Sequence, residues 1–377
     1  MRLALNATGM LSPQSGIGRY VNELARALTE LDVHIDYFDA VNGWRDIPPP
    51  SLAHAPAGML RFLHNLPGAR SLQRKVQQLR FSRGSKASEA GLYHEPGYLA
   101  FRFKGPTVIT VHDASWVRYP DAHPIQRVRS MNRHFSGSIE RAQRIIVDSA
   151  FVARELNELF GVSSDRVSVV HLGVSPCFRA MSPLETLPVC EQLGLAHGCY
   201  VLAVGTLEPR KNLLSLLRAF RRLPHELSRQ YPLVIAGMVG WLHEETDKEI
   251  AALEKEGLLR ILGPVTEEVL PSLYAAARLF VYPSIYEGFG LPPLEAMACG
   301  APVITSDRAS LPEVVGDAGL CVDPYDIDAM AEAIRSILED PQRQQIMGKA
   351  GNERSRLFTW QRCARETLAV YQKAIAT

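Results

Sequence analysis

The sequence has no Cys-x-x-Cys pair and no long apolar run. Its six cysteines are scattered over 377 residues, which argues against a zinc site or a disulfide framework and fits a reducing compartment. No segment reaches the apolar length that a membrane span requires, and the first residues turn polar too soon for a signal peptide. The formal net charge is only +1, which does not indicate a nucleic-acid binder. These absences predict a soluble, cytoplasmic protein with no nucleic-acid partner.

A second absence is local: no acidic residue lies between positions 51 and 88. The basic residues of this segment, which alternate with apolar ones, are Arg61, Arg70, Arg74, Lys75, Arg80, Arg83 and Lys86. Such a composition is typical of an interfacial helix on an anionic membrane. It is equally typical of a surface helix whose basic residues face solvent and whose apolar residues pack in the protein core. Peripheral attachment to the inner face of a membrane is therefore one of two open readings.

Short apolar runs alternate with amphipathic segments along the chain, a pattern typical of parallel α/β folds. The length suits two domains, and we expect the looser, proline-containing stretch from Ser175 to about His197 to connect them. The prediction is two Rossmann-like, doubly wound domains, residues 1–185 and 186–355. In such sheets ligands bind at the carboxyl ends of the strands, so we expect a cleft between the domains.

The most informative stretch runs from Ser284 to Gly300 and reads SIYEGFGLPPLEAMACG. It follows a predicted strand, and Pro292 and Pro293 suit the first turn of the helix that comes next. The loop between them holds Glu287 and two glycines, whose backbone N–H groups, with the helix dipole, favour a phosphate. Glu295, placed in the first turn, has the carboxylate that acidic residues use to bind sugar hydroxyls.

Two further glycine-containing loops follow predicted strands. The first, Gln14 to Tyr20, contains Gly16 and Gly18 and leads into a helix, where N–H groups favour phosphate. The second, GTLEPRKN from Gly205, places two adjacent cations, Arg210 and Lys211, before a helix. A helix N-terminus disfavours cations unless an anion is nearby, so this pair indicates an anionic ligand.

Two pairs of polar residues complete the candidates. His112 and Asp113 follow the predicted strand Thr107–Val111, where a histidine can bind hydroxyls or steer a proton. Asp326 and Asp328 spell an Asp-x-Asp pattern that some metal-dependent transferases use. Because a predicted helix follows, N-cap and first-turn roles explain both acids, and we expect no metal site.

The Glu-Gly-Phe-Gly-spacer-Glu pattern resembles the signature of the retaining glycosyltransferases of family 4, also called group 1, which have the GT-B fold. The resemblance implies that Glu287 binds the transferred sugar and Glu295 the nucleotide ribose. It implies phosphate and sugar contacts from the backbone of Phe289, Gly290 and Leu291. Arg210 and Lys211 would bind the diphosphate, although Thr206 stands where many members have an arginine.

The same resemblance implies roles for the remaining candidates. His112 and Asp113 would lie near the transferred sugar. The donor-binding set implied by the family comprises Gly16, Gly18, Glu208, Arg210, Lys211, Val265, Phe289, Gly290, Leu291 and Glu295. No cofactor or metal is expected. In this family the last helix, here about residues 356–377, returns to the N-terminal, acceptor-binding domain, with residues 186–355 binding the donor.

The motifs look most like those of mannosyl- and rhamnosyltransferases of bacterial surface polysaccharides. This implies a retaining, metal-independent hexosyltransferase that uses GDP-mannose or GDP-rhamnose, with a lipid-linked, O-antigen-like acceptor of lipopolysaccharide biosynthesis. A donor linked to UDP or dTDP stays open, as does a catalytically silent subunit that binds sugar nucleotides. A glycosidase with two carboxylates would not need a phosphate cradle.

Overall fold

The computed structural model describes residues 1–12, 16–49, 69–85, 89–238, 240 and 244–377. These residues divide into two compact units. The first comprises Met1–Ala114, Ile125–Gly173 and Trp360–Thr377, and the second comprises Ser115–Pro124 and Val174–Thr359.

The described part of the first unit forms a seven-stranded sheet in the order β3-β2-β1-β4-β5-β6-β7. Its strands are β1 Arg2–Asn6, β2 His34–Asp39, β3 Gly43–Arg45, β4 Leu92–Glu95, β5 Thr107–Val111, β6 Arg144–Val147 and β7 Val167–Val169. Its α-helices are Gly16–Thr29, Ala69–Ser85, Ile125–Arg141, Ala150–Phe160 and Trp360–Ile375. All neighbouring strands are parallel except β2 and β3. Chain order reverses on the two sides of β1, and such a switch point opens a crevice at the carboxyl ends of the strands.

Local sequence explains the elements around β1. The strand β5 is buried along its whole length, as expected for a central parallel strand covered on both faces. The helix after β1 needs Gly18, because a Cβ atom there would lie 2.2 Å from the carbonyl oxygen of Ser12. The last helix of the chain buries Trp360 and Tyr371 in this unit, and the Tyr371 hydroxyl lies 2.7 Å from Nδ1 of His94.

The second unit contains an all-parallel sheet, six-stranded within its described part, in the order β10-β9-β8-β11-β12-β13. Its strands are β8 Val201–Val204, β9 Leu233–Ala236, β10 Leu259–Gly263, β11 Leu279–Tyr282, β12 Val303–Ser306 and β13 Leu320–Val322. Its α-helices are Ser115–Arg118, Pro183–Leu193, Leu213–Arg221, His225–Gln230, Glu244–Lys255, Leu270–Ala275, Leu291–Ala298, Leu311–Val315, Ile327–Leu338 and Pro341–Ser355. Apolar side chains of β8, β9 and β11 form a core with the helices Leu213–Arg221 and Ile327–Leu338.

The expectation of a loose connection from Ser175 to about His197 was wrong, because this stretch holds the helix Pro183–Leu193. Pro183 occupies the first turn, where a missing N–H costs nothing, whereas Pro188 lies inside the helix and removes one of its backbone hydrogen bonds. Ser182 and Glu185 form a capping box, each side chain accepting from the other residue's backbone N–H. Gly194, in the left-handed region with φ of 59°, ends the helix.

The predicted capping role of the Asp-x-Asp acids is confirmed. Asp326 is the N-cap of the helix Ile327–Leu338, and its Oδ1 accepts from the backbone N–H of Ala329 at 2.9 Å. Asp328, in the first turn, forms a salt bridge with Arg222. Among the residues that the structure describes, no group of three or more His, Cys, Asp or Glu side chains has the geometry to hold a metal ion.

Candidate functional site

Two loops of the second unit meet at its topological switch point. β8 lies between β9 and β11, so the loops that follow β8 and β11 begin side by side at the carboxyl edge of the sheet. The backbone N–H of Ile285 donates to the carbonyl oxygen of Arg210 at 2.9 Å, and the Ser284 hydroxyl oxygen lies 3.1 Å from the same oxygen. These two contacts hold the loop that carries the cations against the loop that carries Glu287.

Glu287 lies at the centre of this junction and its side chain is only 13% exposed. Its Oε1 accepts hydrogen bonds from Lys211 Nζ at 2.5 Å, from the Ser284 hydroxyl at 2.6 Å and from the Tyr282 hydroxyl at 2.9 Å. Its Oε2 accepts from Arg210 Nη1 at 3.1 Å. Burial alone would raise the pKa of Glu287, but the charges of Lys211 and Arg210 outweigh it and lower the pKa to about 2. The group is therefore a carboxylate throughout the physiological range.

The two cations are held as firmly as the carboxylate. Arg210 also donates through Nη2 to Glu208 Oε1 at 2.5 Å and through Nη1 to the carbonyl oxygen of Tyr286 at 2.5 Å. Lys211 donates to the hydroxyl of Tyr282 at 2.7 Å, and its Nζ lies 5.1 Å from the centre of that ring. Two cations therefore face two carboxylates, and this pairing offsets the repulsion between Arg210 and Lys211.

The glycine loop and the helix Leu291–Ala298 are shaped by Ser310. Its hydroxyl oxygen lies 2.5 Å from the carbonyl oxygen of Phe289 and 2.9 Å from that of Glu287. Because the C=O and N–H of a planar trans peptide point in opposite directions, the N–H of Gly290 faces away from Ser310. Gly290 itself has φ of 126°, a conformation that glycine adopts without strain. Leu291 begins the helix, so the dipole of its first turn adds to the same edge.

A cavity extends from this junction between the ends of β8 and β11. Its lining includes Gly205, Thr206, Lys211, Tyr282 and Pro283. The rest of its lining is aliphatic and comes from Ala203, Val204, Leu207, Leu213, Leu216, Ile235 and Val281. The cavity is therefore a mainly apolar recess beside the ion cluster.

Two predicted donor contacts lie at the same sheet edge but outside the ion cluster. Glu295 is 2% exposed and accepts from the Tyr274 hydroxyl at 3.1 Å. It is the fifth residue of its helix and so lies in the second turn, not in the first as expected. Val265 is half-buried in the loop that follows β10.

In the first unit, His112 is paired with Asp148, which follows the neighbouring strand β6. His112 Nδ1 lies 2.7 Å from Oδ2 of Asp148, and its Nε2 lies 2.9 Å from the carbonyl oxygen of Pro96. Both acceptors can take a proton from the ring, so the imidazolium form satisfies both contacts. Burial would lower the pKa of His112, but Asp148 outweighs it and the pKa is raised. Asp113 is hydrogen-bonded to the side chain of Tyr98.

The glycines predicted at the first loop lie at the start of the helix after β1. Gly16 is the first helical residue and is exposed, whereas Gly18 is buried against the backbone of Ser12. The structure thus places Gly16, Gly18, His112 and Asp113 in the first unit, and the ion cluster in the second.

Four residues that contact predicted site residues were missed by sequence reasoning: Tyr282, Ser284, Ser310 and Asp148. Tyr282 ends a strand directly before the motif, and Ser284 is the motif's first residue, so their position next to Glu287 was a usable signal. Asp148 and Ser310 come from other strands and helices, and nothing in their local sequence marks them.

The matches to known proteins agree with this geometry. The family model for glycosyl transferases group 1 matches residues 196–354, and the model for glycosyltransferase family 4 matches residues 14–177. The chain is 39% identical to O-antigen chain mannosyltransferase B of Escherichia coli over 372 residues, which cover 96% of each protein.

Solved structures show the same fold. Sucrose-phosphate synthase of Thermosynechococcus elongatus superimposes with a TM-score of 0.76 at 23% identity, covering 100% of this chain and 99% of the other. The Anabaena protein HepE, solved with UDP and glucose, superimposes with a TM-score of 0.71 at 21% identity over 99% of each chain. The fold is GT-B, and the class of protein is a glycosyltransferase. The chain belongs to the family 4, or group 1, glycosyltransferases.

Proposed function

We propose that this enzyme transfers a mannose-type hexose from a nucleotide-diphosphate sugar to a lipid-linked, O-antigen-like glycan. The observation that carries the proposal is the ion cluster of Glu208, Arg210, Lys211 and Glu287 at the switch point of the second sheet. It combines preoriented cations with a carboxylate that stays ionised. Breaking the bond between a sugar and a diphosphate develops negative charge on the leaving group, and preoriented cations stabilise that charge.

In the proposed complex, Arg210 and Lys211 bind the diphosphate. Lys211 makes two hydrogen bonds within the described residues, and an ammonium group has three donors, so one direction remains for a phosphate oxygen. Glu287 accepts hydrogen bonds from the hydroxyls of the transferred sugar, and Glu295 from the nucleotide ribose.

The backbone N–H groups of Phe289, Gly290 and Leu291 complete the phosphate and sugar contacts of the donor. Val265 lines the base pocket. Residues 186–355 would form the donor-binding domain. Residues 1–185, with the final helix at about 356–377, would bind the acceptor.

Gly16 and Gly18 are proposed to bind the donor, in a loop that closes over the donor phosphate and the acceptor. His112 and Asp113 are proposed to lie near the transferred sugar. His112 makes a hydrogen bond through each ring nitrogen. To bind a sugar hydroxyl, its Nε2 would release the carbonyl oxygen of Pro96, while Asp148 keeps the ring oriented through Nδ1. We propose that configuration at the anomeric carbon is retained and that no metal ion takes part. The leaving phosphate oxygen would accept the proton of the acceptor hydroxyl, so that the protein supplies positioning and electrostatics.

The sugar and nucleotide rest on different support. The E. coli relative is an O-antigen chain mannosyltransferase, which supports mannose as the transferred sugar and an O-antigen chain as the acceptor. Rhamnose is the related deoxyhexose. GDP is proposed as the nucleotide from the motif resemblance. HepE was solved with UDP and glucose, so the test must include other nucleotides.

The test is a thermal-shift panel of GDP, UDP, dTDP, ADP and their common sugars, with and without EDTA. A ligand that binds the folded state raises the melting temperature. GDP and GDP-mannose should give shifts that survive EDTA and that fall in Lys211→Ala. Shifts with UDP or dTDP alone would reject the GDP assignment, and no shift with any nucleotide would favour a silent scaffold subunit. A [14C]-mannose transfer assay then separates binding from turnover, and Glu287→Ala should nearly abolish transfer.

We also propose that the enzyme works at an anionic membrane surface through the helix Ala69–Ser85. Lys75, Val76, Leu79, Arg80 and Arg83 are exposed on this helix, so basic and apolar side chains share its outer surface. Arg61 and Lys86 lie outside the described residues, and the side chain of Arg70 is likewise not described. No helix within the described residues is long and apolar enough to cross a membrane.

Vesicle flotation tests this surface. Reversal of Lys75, Arg80 and Arg83 to glutamate should release the protein from phosphatidylglycerol vesicles, because each basic residue near an anionic surface contributes about 1 kcal/mol. The matched control reverses three exposed lysines of the second unit, Lys248, Lys255 and Lys349. Equal loss in both variants would show that net charge, rather than this helix, governs attachment.

A further inference from the structure

The first unit contains three arginines, Arg74, Arg102 and Arg141, of which the first two act by charge on the third, with Arg133 nearby in sequence on the helix of Arg141. Burial raises the pKa of Glu95, and the charge of Arg74 opposes that rise. Arg74 and Arg141 both donate through Nη2 to the carbonyl oxygen of Ala100, at 3.2 Å and 3.1 Å. Arg102 follows two residues later. We call these four arginines the arginine cluster.

No salt bridge to a carboxylate is formed by any of the four within the described part of the chain. Every aspartate and glutamate of the sequence falls in that part. Glu140 is the acid whose charge acts on Arg141, and it is exposed. Like charges that converge on one neutral oxygen repel each other unless an anion is present.

The pKa directions agree with this crowding. Burial, and then the charges of Arg74 and Arg102, lower the pKa of Arg141. The neighbouring His134 has its pKa lowered by burial and then by Arg74, Arg133 and Arg141. A set of cations that disfavour one another's charge is characteristic of functional sites.

The cluster rests on a rigid backbone. The side chain of Gln78 makes two hydrogen bonds to the backbone of Arg102. Its Oε1 accepts from the N–H of Arg102 at 2.8 Å, and its Nε2 donates to the carbonyl oxygen of Arg102 at 3.1 Å. Ser138 accepts from the N–H of Ala100 at 3.0 Å. The segment is thus held between the helices Ala69–Ser85 and Ile125–Arg141, and the guanidinium groups of Arg74 and Arg141 are oriented by their bonds to the carbonyl oxygen of Ala100.

The described contacts leave donors available. The Nε of Arg141 is buried and has no hydrogen-bond partner among the described residues, which leaves a charged donor unsatisfied. Arg102 and Arg133 are exposed to solvent. Guanidinium groups of this kind match the tetrahedral oxygens of phosphate, often with two parallel hydrogen bonds.

We propose that the arginine cluster is a second anion site of this enzyme and that it binds a phosphate or diphosphate group. Its residues belong to the first unit, whereas the proposed nucleotide-sugar site belongs to the second. Two sources carry this chemistry: the diphosphate of a lipid-linked acceptor, which rests on the proposed function, and the phosphate of a lipid headgroup.

The test measures binding of inorganic pyrophosphate to the full chain by titration calorimetry. Wild type should bind two equivalents, one at each site. Arg102→Gln/Arg141→Gln should lose one equivalent, or weaken it about tenfold or more, since each lost charge-assisted hydrogen bond weakens binding on this scale. Because Arg141 also holds the Ala100 carbonyl, the exposed pair Arg102→Gln/Arg133→Gln serves as a second variant that leaves that bond intact.

The matched control is Arg129→Gln/Arg154→Gln, which removes the same charge from exposed positions of the first unit. Equal weakening in the control would overturn the proposal in favour of diffuse attraction to net charge. One equivalent in wild type that is lost in Lys211→Ala and kept in both cluster variants would also overturn it. If the single equivalent of the wild type is instead kept in Lys211→Ala and lost in the cluster variants, the result supports this site and counts against the proposed donor site.

A vesicle arm identifies the source of the phosphate. If phosphatidylglycerol vesicles, but not phosphatidylcholine vesicles, compete with pyrophosphate at the cluster, the ligand is a headgroup. If pyrophosphate binds equally well with either vesicle present, the site takes the diphosphate of the acceptor. Both outcomes presuppose binding at the arginine cluster, so a wild type whose only equivalent is lost in Lys211→Ala rejects the site whichever source is considered.

Discussion

The ion pair between Glu287 and Lys211 predicts a large and pH-dependent loss of stability when the carboxylate is removed. The pKa of Glu287 falls from its ordinary 4.5 to about 2 in the folded protein. A shift of this size corresponds to about 3 kcal/mol of folding free energy, since each pKa unit is worth about 1.4 kcal/mol. The side chains are 13% and 18% exposed, so solvent screening of this pair is small.

The sign of the pH dependence follows from the lowered pKa. The stabilisation from Glu287 is complete above the pKa of the unfolded state, near 4.5, and is lost as the pH falls towards 2. Glu287→Gln should therefore lower the unfolding free energy by about 3 kcal/mol at pH 7. The difference from wild type should shrink as the pH drops below about 4.5. Urea unfolding of the full chain at pH 7, 5 and 3.5 measures it.

A double-mutant cycle separates the pair from the rest of the site. Lys211→Met alone should cost a similar amount, because it leaves a buried carboxylate without its cation. The double variant should cost at least about 2 kcal/mol less than the sum of the two single variants. The control is Glu332→Gln, whose partner Arg335 is 2.7 Å away, close to the 2.5 Å of the Glu287 pair, but whose side chain is 61% exposed, so it should cost under about 1 kcal/mol. Additive costs in the cycle, or equal costs for Glu287 and Glu332, would refute the reasoning.

Three further variants test the structure around the site. In Asp148→Asn the pKa of His112, read from its ring resonances by NMR, should fall because the carboxylate that raises it is gone; an unchanged titration would reject the pairing. Gly18→Ala should lower the unfolding free energy by about 2 kcal/mol or more, since its methyl group would lie 2.2 Å from the Ser12 carbonyl, and an unchanged melting temperature would contradict that close approach. Tyr282→Phe keeps the ring but removes the hydroxyl shared by the lysine and the glutamate. It should lower kcat about tenfold with the melting temperature little changed, and a KM effect alone would mean that the hydroxyl serves binding.

Some features were predictable because their signals are local. The strand Thr107–Val111 has the predicted bounds, since its β-branched stretch of five residues is a local signal. The GT-B fold class and the membership in the glycosyltransferase family are confirmed. Both follow from alternation and from one contiguous motif, which a single sequence displays in full.

Strands with polar residues were missed for a physical reason. β4, Leu92–Glu95, is fully buried although half of it is polar. His94 can be buried because Tyr371 and Thr110 supply its hydrogen bonds. Glu95 can be buried because Asn6, Tyr93 and the backbone N–H of Gly97 donate hydrogen bonds to its carboxylate. Such partners come from distant parts of the chain, so local hydropathy does not show that the residues can be buried.

The sequence by itself determined the class of enzyme, because the residues of the motif from Ser284 to Gly300 and the pair Arg210–Lys211 carry recognisable chemistry within short segments. The tertiary structure alone decided which of these charges meet. Lys211 and Glu287 are 76 residues apart, and His112 and Asp148 are 36 apart. They become partners because a parallel sheet brings the carboxyl ends of neighbouring strands to one edge, and strand order is set by the packing of the whole unit rather than by any local pattern.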